Sequence, residues 1–298
     1  MWRTIRPVIS AKQPSRPAPA ADVDAMNQYF ANVGTQTARQ VDSSGPELLV
    51  RLPRVSTGRF VVRPVTPQSL AMTVAQMNNS SACGADGLCV RFVKLCWPYI
   101  CHEIIHIVNS SLWSHTVPTS WKLTYIHPIQ KSPKSTETSN YRPISILSTI
   151  AKITERLVYE QLSEYFKSHH LFPSCQHSFR TAHSTDTAPL TVTDRVLEAM
   201  DNRQVALLCL LDKSKAFDVI PHNRLLNKLA LYNVDVRWFE SYLSDHYQQV
   251  LITGTLAGVR TLSQPLLNPL GTFQGSALGP LMYVGTRYTP QICPCASM

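Results

Sequence analysis

The 298-residue sequence predicts an α+β domain. Apolar residues recur at helical spacing in several segments, two short alternating runs joined by a polar loop have the signature of a strand hairpin, and a hydrophobic content of 44% is enough to bury a core. Helices interleaved with a few strands indicate mixed architecture. No internal repeat is visible.

Each element follows from local pattern. Val23, Met26, Tyr29, Phe30 and Val33 share one face of a helix over 22–33. At 66–77 a Thr cap followed by proline opens a short helix. Residues 88–112 are helical again, with a break expected at Trp97–Pro98, where proline suits the first turn of a second helix. The strands of the hairpin are 121-WKLTYIHPIQK-131 and 141-YRPISIL-147, and the loop between them carries Pro133 and Asn140. Ile150, Ile153, Leu157, Leu162 and Phe166 mark a helix over 149–167, and another is expected at 184–200 with Pro189 in its first turns. A strand at 204–212, helices at 214–230 and 235–246, and strands near 248–253 and 258–264 complete the series.

Lys and Arg number 28 against 19 Asp and Glu, a formal net charge of +9 that favours an anionic partner such as nucleic acid or an acidic membrane surface. The eight cysteines form no paired CxxC framework and read as reduced thiols of a cytosolic or nuclear protein. The longest apolar run, 205-VALLCLL-211, falls short of the ~20 residues a membrane helix needs, so no span is expected. Residues 1–22 hold four basic residues, several prolines and no acid before Asp22, a proline-rich linker rather than an organelle transit peptide. The expected domain plan is a partly disordered linker with a short helix over 1–65, one domain over 66–283, and an unrelated tail over 284–298.

Residues 102-HEIIH-106 match the zinc-hydrolase pattern in which two histidines one turn apart bind metal and the glutamate acts as base. No third ligand follows His106 at a suitable spacing. Ile104, Ile105, Val108 and Leu112 form the apolar stripe, so His102 and His106 are expected to face solvent or a partner.

The order of seven strings carries more weight than any one of them. They are 84-GADGL-88, 121-WKLTYIHPIQK-131, 140-NYRPISILS-148, 176-QHSFRTAHST-185, 211-LDKSKAFD-218, 238-WFESYL-243 and 274-QGSALGP-280. In this order the chain closely resembles the reverse transcriptase of non-LTR (LINE-type, jockey-like) retrotransposons over about 66–283. The resemblance implies a right-hand polymerase fold, here fingers and a partial palm without the end of the palm or the thumb. It implies RNA template, DNA primer and deoxynucleotide as partners, a nuclear or cytoplasmic setting, and nucleotidyl transfer by two Mg²⁺ (or Mn²⁺) ions ~4 Å apart.

The matching positions give the expected site. Asp212, at the tip of the predicted strand, matches the first metal-binding aspartate of the family, joined by the backbone carbonyl of Lys213. Phe217 matches the aromatic beneath the incoming sugar, where a bulky ring would collide with a 2′-hydroxyl. Lys131 and Arg142, on the two arms of the hairpin, would present cations to the triphosphate. Gln274 and Gly275 match a loop that packs on the nascent base pair, and Arg180 would contact template or nucleotide phosphate. Asp86 and Gly87 resemble the loop that opens the fingers. Asp218, six residues past Asp212, reads instead as a charge at a helix start.

Several positions depart from the family. Lys213 puts a cation beside the metal site, Ser178 replaces a glycine, Thr272–Phe273 replace Val-Pro, and Pro189 and Pro221 stand where helix is expected. The Tyr-Ala-Asp-Asp turn that supplies two further metal ligands in the family does not occur, and 284–298 contain no acidic residue. The expectation is therefore a chain truncated before that motif, without polymerase activity, with doubtful metal binding and with an unpaired sheet edge that lowers solubility. Two alternatives stand beside it: a non-catalytic nucleic-acid-binding remnant, and the zinc hydrolase suggested by His102, Glu103 and His106.

Overall fold

The computed structural model describes residues 22–40, 58–132, 135–172, 176–180, 182–210, 212, 215–253 and 260–287. Helix α1 (Val23–Gln40) is followed by α2 (Pro67–Gln76) and α3 (Val90–Ser114). Strands β1 (Leu123–Gln130) and β2 (Tyr141–Ile146) precede α4 (Thr149–Ser168), α5 (Thr187–Asp201), α6 (His222–Leu231) and α7 (Arg237–Leu243). Strands β3 (Tyr247–Thr253), β4 (Arg260–Leu262) and β5 (Leu266–Leu267) lead into α8 (Leu278–Arg287). Helices and a mixed sheet together make an α+β fold.

The hairpin forms as the alternation predicts. β1 and β2 pair antiparallel with Tyr125 opposite Ile146 and Gln130 opposite Tyr141, while β3 joins β1 in parallel and carries β4 and β5 antiparallel. Apolar side chains on one side of this sheet seat α1: Met26 and Phe30 pack with Ile126, Tyr141, Val250 and Ile252. Asn27 locks the seat, donating to the Gln264 carbonyl at 2.7 Å and the Gln248 carbonyl at 3.3 Å and accepting from the Gln248 amide at 3.0 Å. The larger core lies among α2, α3, α4, α6, α7 and α8, around Leu70, Val108, Ile153, Leu162, Phe166, Leu225 and Trp238.

Local chemistry sets the helix ends. Thr66 caps α2 through a reciprocal pair with Ser69, with proline at the first position. Ser148 caps α4, and Asp86 adds a second acceptor, 2.8 Å from the Thr149 amide. Gly84 makes that approach feasible, because a Cβ there would lie 2.4 Å from the Leu147 carbonyl oxygen.

Three expectations fail, each for a physical reason. The break at Trp97–Pro98 does not occur: Pro98 lies on the exposed side of α3, and the buried row Val90, Val93, Ile104, Val108, Leu112 continues past it. The helix expected at 214–230 starts only at His222, because Pro221 takes the cap position in extended conformation (ψ 127°) and 215–218 close a turn instead. The strand expected at 204–212 does not form over the described residues 204–210 and 212, and Val205, Leu207 and Leu210 are 98, 94 and 84% exposed. A buried apolar strand needs neighbours for its backbone groups, and no described strand pairs with this run. α8, whose Leu278, Leu281 and Met282 enter the core, was not foreseen.

No helix among the described residues is long and apolar enough to cross a membrane.

Candidate nucleotide and nucleic-acid site

Residues 271–277 run between the 215–218 turn and β2, and backbone bonds fix them from both sides. Gly271 donates to the Ile220 carbonyl and Thr272 to the Phe217 carbonyl, each at 2.8 Å, while Ser145 of β2 donates to the Gln274 carbonyl at 2.7 Å. This approach depends on glycine at two positions. Gly271 has φ +81°, and a Cβ there would meet the Phe217 oxygen at 2.5 Å; Gly275 has φ +120°, and a Cβ would sit 2.9 Å from the Ser145 oxygen. The Gln274 side chain turns back and donates to Asp218 Oδ1 at 2.9 Å.

Asp218 is the residue that sequence reasoning undervalued. It belongs to the turn rather than to a helix start, and α1 presses on it so closely that a Cβ on Gly34 would lie 2.2 Å from its backbone oxygen. Burial raises its carboxyl above the ordinary value, opposed by the Gln274 bond and by the Lys215 and Lys131 cations. Asp218, Gln274, Ser145, Pro143 and Thr272 line one cleft with Phe30 and Gly34 of α1. Phe217 lies beside them with its ring tilted 34° against Tyr283, ring centres 4.5 Å apart, and packs edge-to-face with Phe179 at 6.0 Å. The signal available in the sequence was the pairing of Phe217 with Asp218 in one string.

A buried carboxylate holds the far end of the loop. Glu155 of α4, 2% exposed, accepts from the Ala277 amide at 2.9 Å and from the Tyr242 hydroxyl. Burial pushes Glu155 up to about 7, and burial with the neighbouring Glu155 raises Tyr242 well above its ordinary value. On the other side His222 meets the Gly271 carbonyl at 2.8 Å, its imidazole lowered by burial.

The other expected site residues lie as follows. Lys131, at the end of β1, is exposed; its ammonium donates to the Ser139 carbonyl at 2.8 Å, closing the hairpin loop. Arg142 is exposed on β2, opposite Ile129. The Arg180 guanidinium lies 5.9 Å from the centre of the Phe172 ring. Asp212 is exposed outside any strand, and Lys213 lies outside the described residues. The structure thus brings together Phe217, Gln274 and Gly275, with Lys131 in the field of Asp218, and among the described residues Asp212 belongs to no cluster of possible metal ligands. Among the described residues no group of three or more His, Cys, Asp or Glu is placed to hold a metal ion. His102, Glu103 and His106 are exposed on α3. The described donors alone therefore do not fit a pair of divalent cations at Asp212, nor a zinc ion at His102 and His106.

The model of the reverse transcriptase (RNA-dependent DNA polymerase) family matches residues 129–287, from the end of β1 through α8. That is more than half of the chain, and the chain belongs to this family. It is 29% identical over 243 residues to the probable RNA-directed DNA polymerase from transposon BS of Drosophila melanogaster, covering 79% of this chain and 26% of that protein. It is 30% identical over 226 residues to the RNA-directed DNA polymerase from mobile element jockey of the same organism, covering 74% of this chain and 24% of that one. A retrovirus-related Pol polyprotein from type-1 retrotransposable element R2 of Popillia japonica shares 22% over 224 residues, 74% of this chain and 29% of that one. Within the family the chain falls with the non-LTR retrotransposon reverse transcriptases, as the seven ordered strings imply. It spans about a quarter of the length of these curated relatives. Nothing in the comparisons favours a zinc hydrolase.

Proposed function

We propose that this chain forms the fingers and part of the palm of a reverse transcriptase, over 66–283 with α1 seated on its sheet, and grips RNA template, DNA primer and deoxynucleotide. In this reading the β1–β2 hairpin offers Lys131 and Arg142 to phosphates, Arg180 meets the template backbone, and Phe217 faces the sugar. Gln274 and Gly275 lie beneath the nascent base pair. The observation that carries it is the 271–277 loop, held in place through hydrogen bonds with Ser145, Phe217 and Glu155 and with glycine at the two close backbone approaches, 271 and 275. Asp212 and the Lys213 carbonyl would contribute to a Mg²⁺ or Mn²⁺ site, and no cluster of three or more ligands among the described residues completes one. The 298-residue chain by itself therefore binds a primed template without extending it.

Two measurements on the purified chain test this. Binding to an RNA–DNA hybrid is expected to weaken steeply with salt, and Lys131→Ala, Arg142→Ala and Arg180→Ala each to lower the log–log salt slope by about 1. Primer extension with Mg²⁺ or Mn²⁺ is expected to give no product. Template-dependent incorporation abolished by Asp212→Ala would refute the non-catalytic part, and salt-independent binding would refute the rest.

A further inference from the structure

Among the described residues, the outer face of α3 carries a long exposed apolar feature that the site does not use. Phe92, Leu95, Tyr99, Ile107 and Trp113 are 50, 70, 83, 44 and 81% exposed. With exposed His102, Glu103, His106 and Ser110 they share one side of the helix, opposite the buried row that begins at Val90. Scattered apolar residues on a surface are ordinary, but five large ones on one helix face from Phe92 to Trp113, about 32 Å at the helical rise and with a polar centre at His102 and Glu103, mark an interaction surface.

The order of residues along the face indicates what covers it. Two α3 helices packed antiparallel about a twofold axis between His102 and Glu103 bring together positions whose numbers sum to 205. Phe92 then meets Trp113 of the other copy, Tyr99 meets His106, Leu95 meets Ser110, and His102 meets Glu103. Glu103 is the single acidic residue between Val90 and Ser114, and this pairing sets it against an imidazole twice. Single-stranded nucleic acid fits less well, because a stacking platform works with a row of cations. Of the two fixed cations on α3, the Lys94 ammonium is bound to the Ala75 and Met77 carbonyls, leaving Arg91 at one end.

We infer that α3 is the interface of a twofold-symmetric dimer of this chain, in which the apolar ends of the face cover each other and Glu103 meets His102 on both sides of the axis. A strip about 32 Å long and one helix wide lies at the small end of specific interfaces, so association in the micromolar range is expected. Sedimentation velocity tests it on the full 298-residue chain carrying Leu207→Lys and Leu210→Lys, which keep the separate exposed run from associating. A dimer is expected. Tyr99→Glu and Leu95→Glu should weaken it at least tenfold with circular dichroism unchanged, since both side chains are exposed. His102→Glu alone sets Glu against Glu and should also weaken it at least tenfold, whereas adding Glu103→Arg sets Glu against Arg and should restore it. A monomer at all concentrations, a dimer indifferent to Tyr99→Glu, or a double exchange that fails to restore would overturn the inference. So would a monomer that binds single-stranded RNA through this face and loses that binding with Tyr99→Glu.

Discussion

Replacing Glu155 by glutamine should unmask an opposing titration buried in the same core. Burial holds the Glu155 carboxyl at about 7 against an ordinary 4.5. A raised carboxyl costs nothing while both folded and unfolded chains are protonated. Stability falls as pH rises from about 4.5, where the unfolded chain releases its proton first, until about 7, where the folded chain does. At 1.36 kcal/mol per pH unit the accumulated loss is about 3 kcal/mol. His246, 1% exposed and close against Phe273 with ring centres 4.3 Å apart, runs the other way. Burial draws its imidazole down to about 4 from 6.5, so stability climbs by about 3 kcal/mol between those values. Across pH 4.5–6.5 the two slopes nearly cancel in the native chain. Glutamine keeps a carbonyl oxygen for the Ala277 amide while removing the charge. Urea unfolding followed by tryptophan fluorescence should give equal stabilities for Glu155→Gln and the native chain near pH 4.5, and about 3 kcal/mol in favour of the variant at pH 7.5. Because Asp218, His222 and His246 are common to both proteins, their contributions drop out of the difference. A difference that stays constant with pH would refute the reasoning, as would a variant less stable at every pH.

Two further substitutions probe the seats of the loop and of α1. Gly271→Ala should lower stability by about 1–3 kcal/mol, since it places a Cβ at positive φ against the Phe217 carbonyl; thermal unfolding reads it, and an unchanged midpoint would mean the loop can move. Asn27→Ala strands the buried Gln248 amide and two carbonyls, so a loss of about 2 kcal/mol is expected in denaturant, with faster hydrogen exchange in β3.

The hairpin was legible because period-two alternation and a turn-rich loop specify a local pairing that needs no distant residue. Most helices were legible for the same reason. The run 204–212 was not, since apolarity says what a segment would bury and cannot supply the strand beside it. α8 escaped notice because two glycines and a proline in 278-LGPLMYVGTR-287 conceal the core-facing Leu278, Leu281 and Met282. Within the site, Phe217, Gln274 and Gly275 came from the order of strings, whereas Asp218 was set aside by a helix that does not begin there. Glu155 was overlooked altogether, since a glutamate in a helix reads as a solvated charge. Its spacing held the clue: it falls four residues after Ala151 and three before Val158, on the buried side of α4.

The seat of α1 has a consequence for synthesis of the chain. Asn27 waits for Gln248 and Gln264, more than two hundred residues away. At roughly 5–20 residues per second a ribosome needs on the order of ten to forty seconds to make that stretch. For that interval Met26 and Phe30 lack Val250 and Ile252, and α1, the first of the described helices, is among the last to dock in full. A nascent chain halted before Gln264 should therefore present α1 to chaperones and proteases as an unburied amphipathic segment.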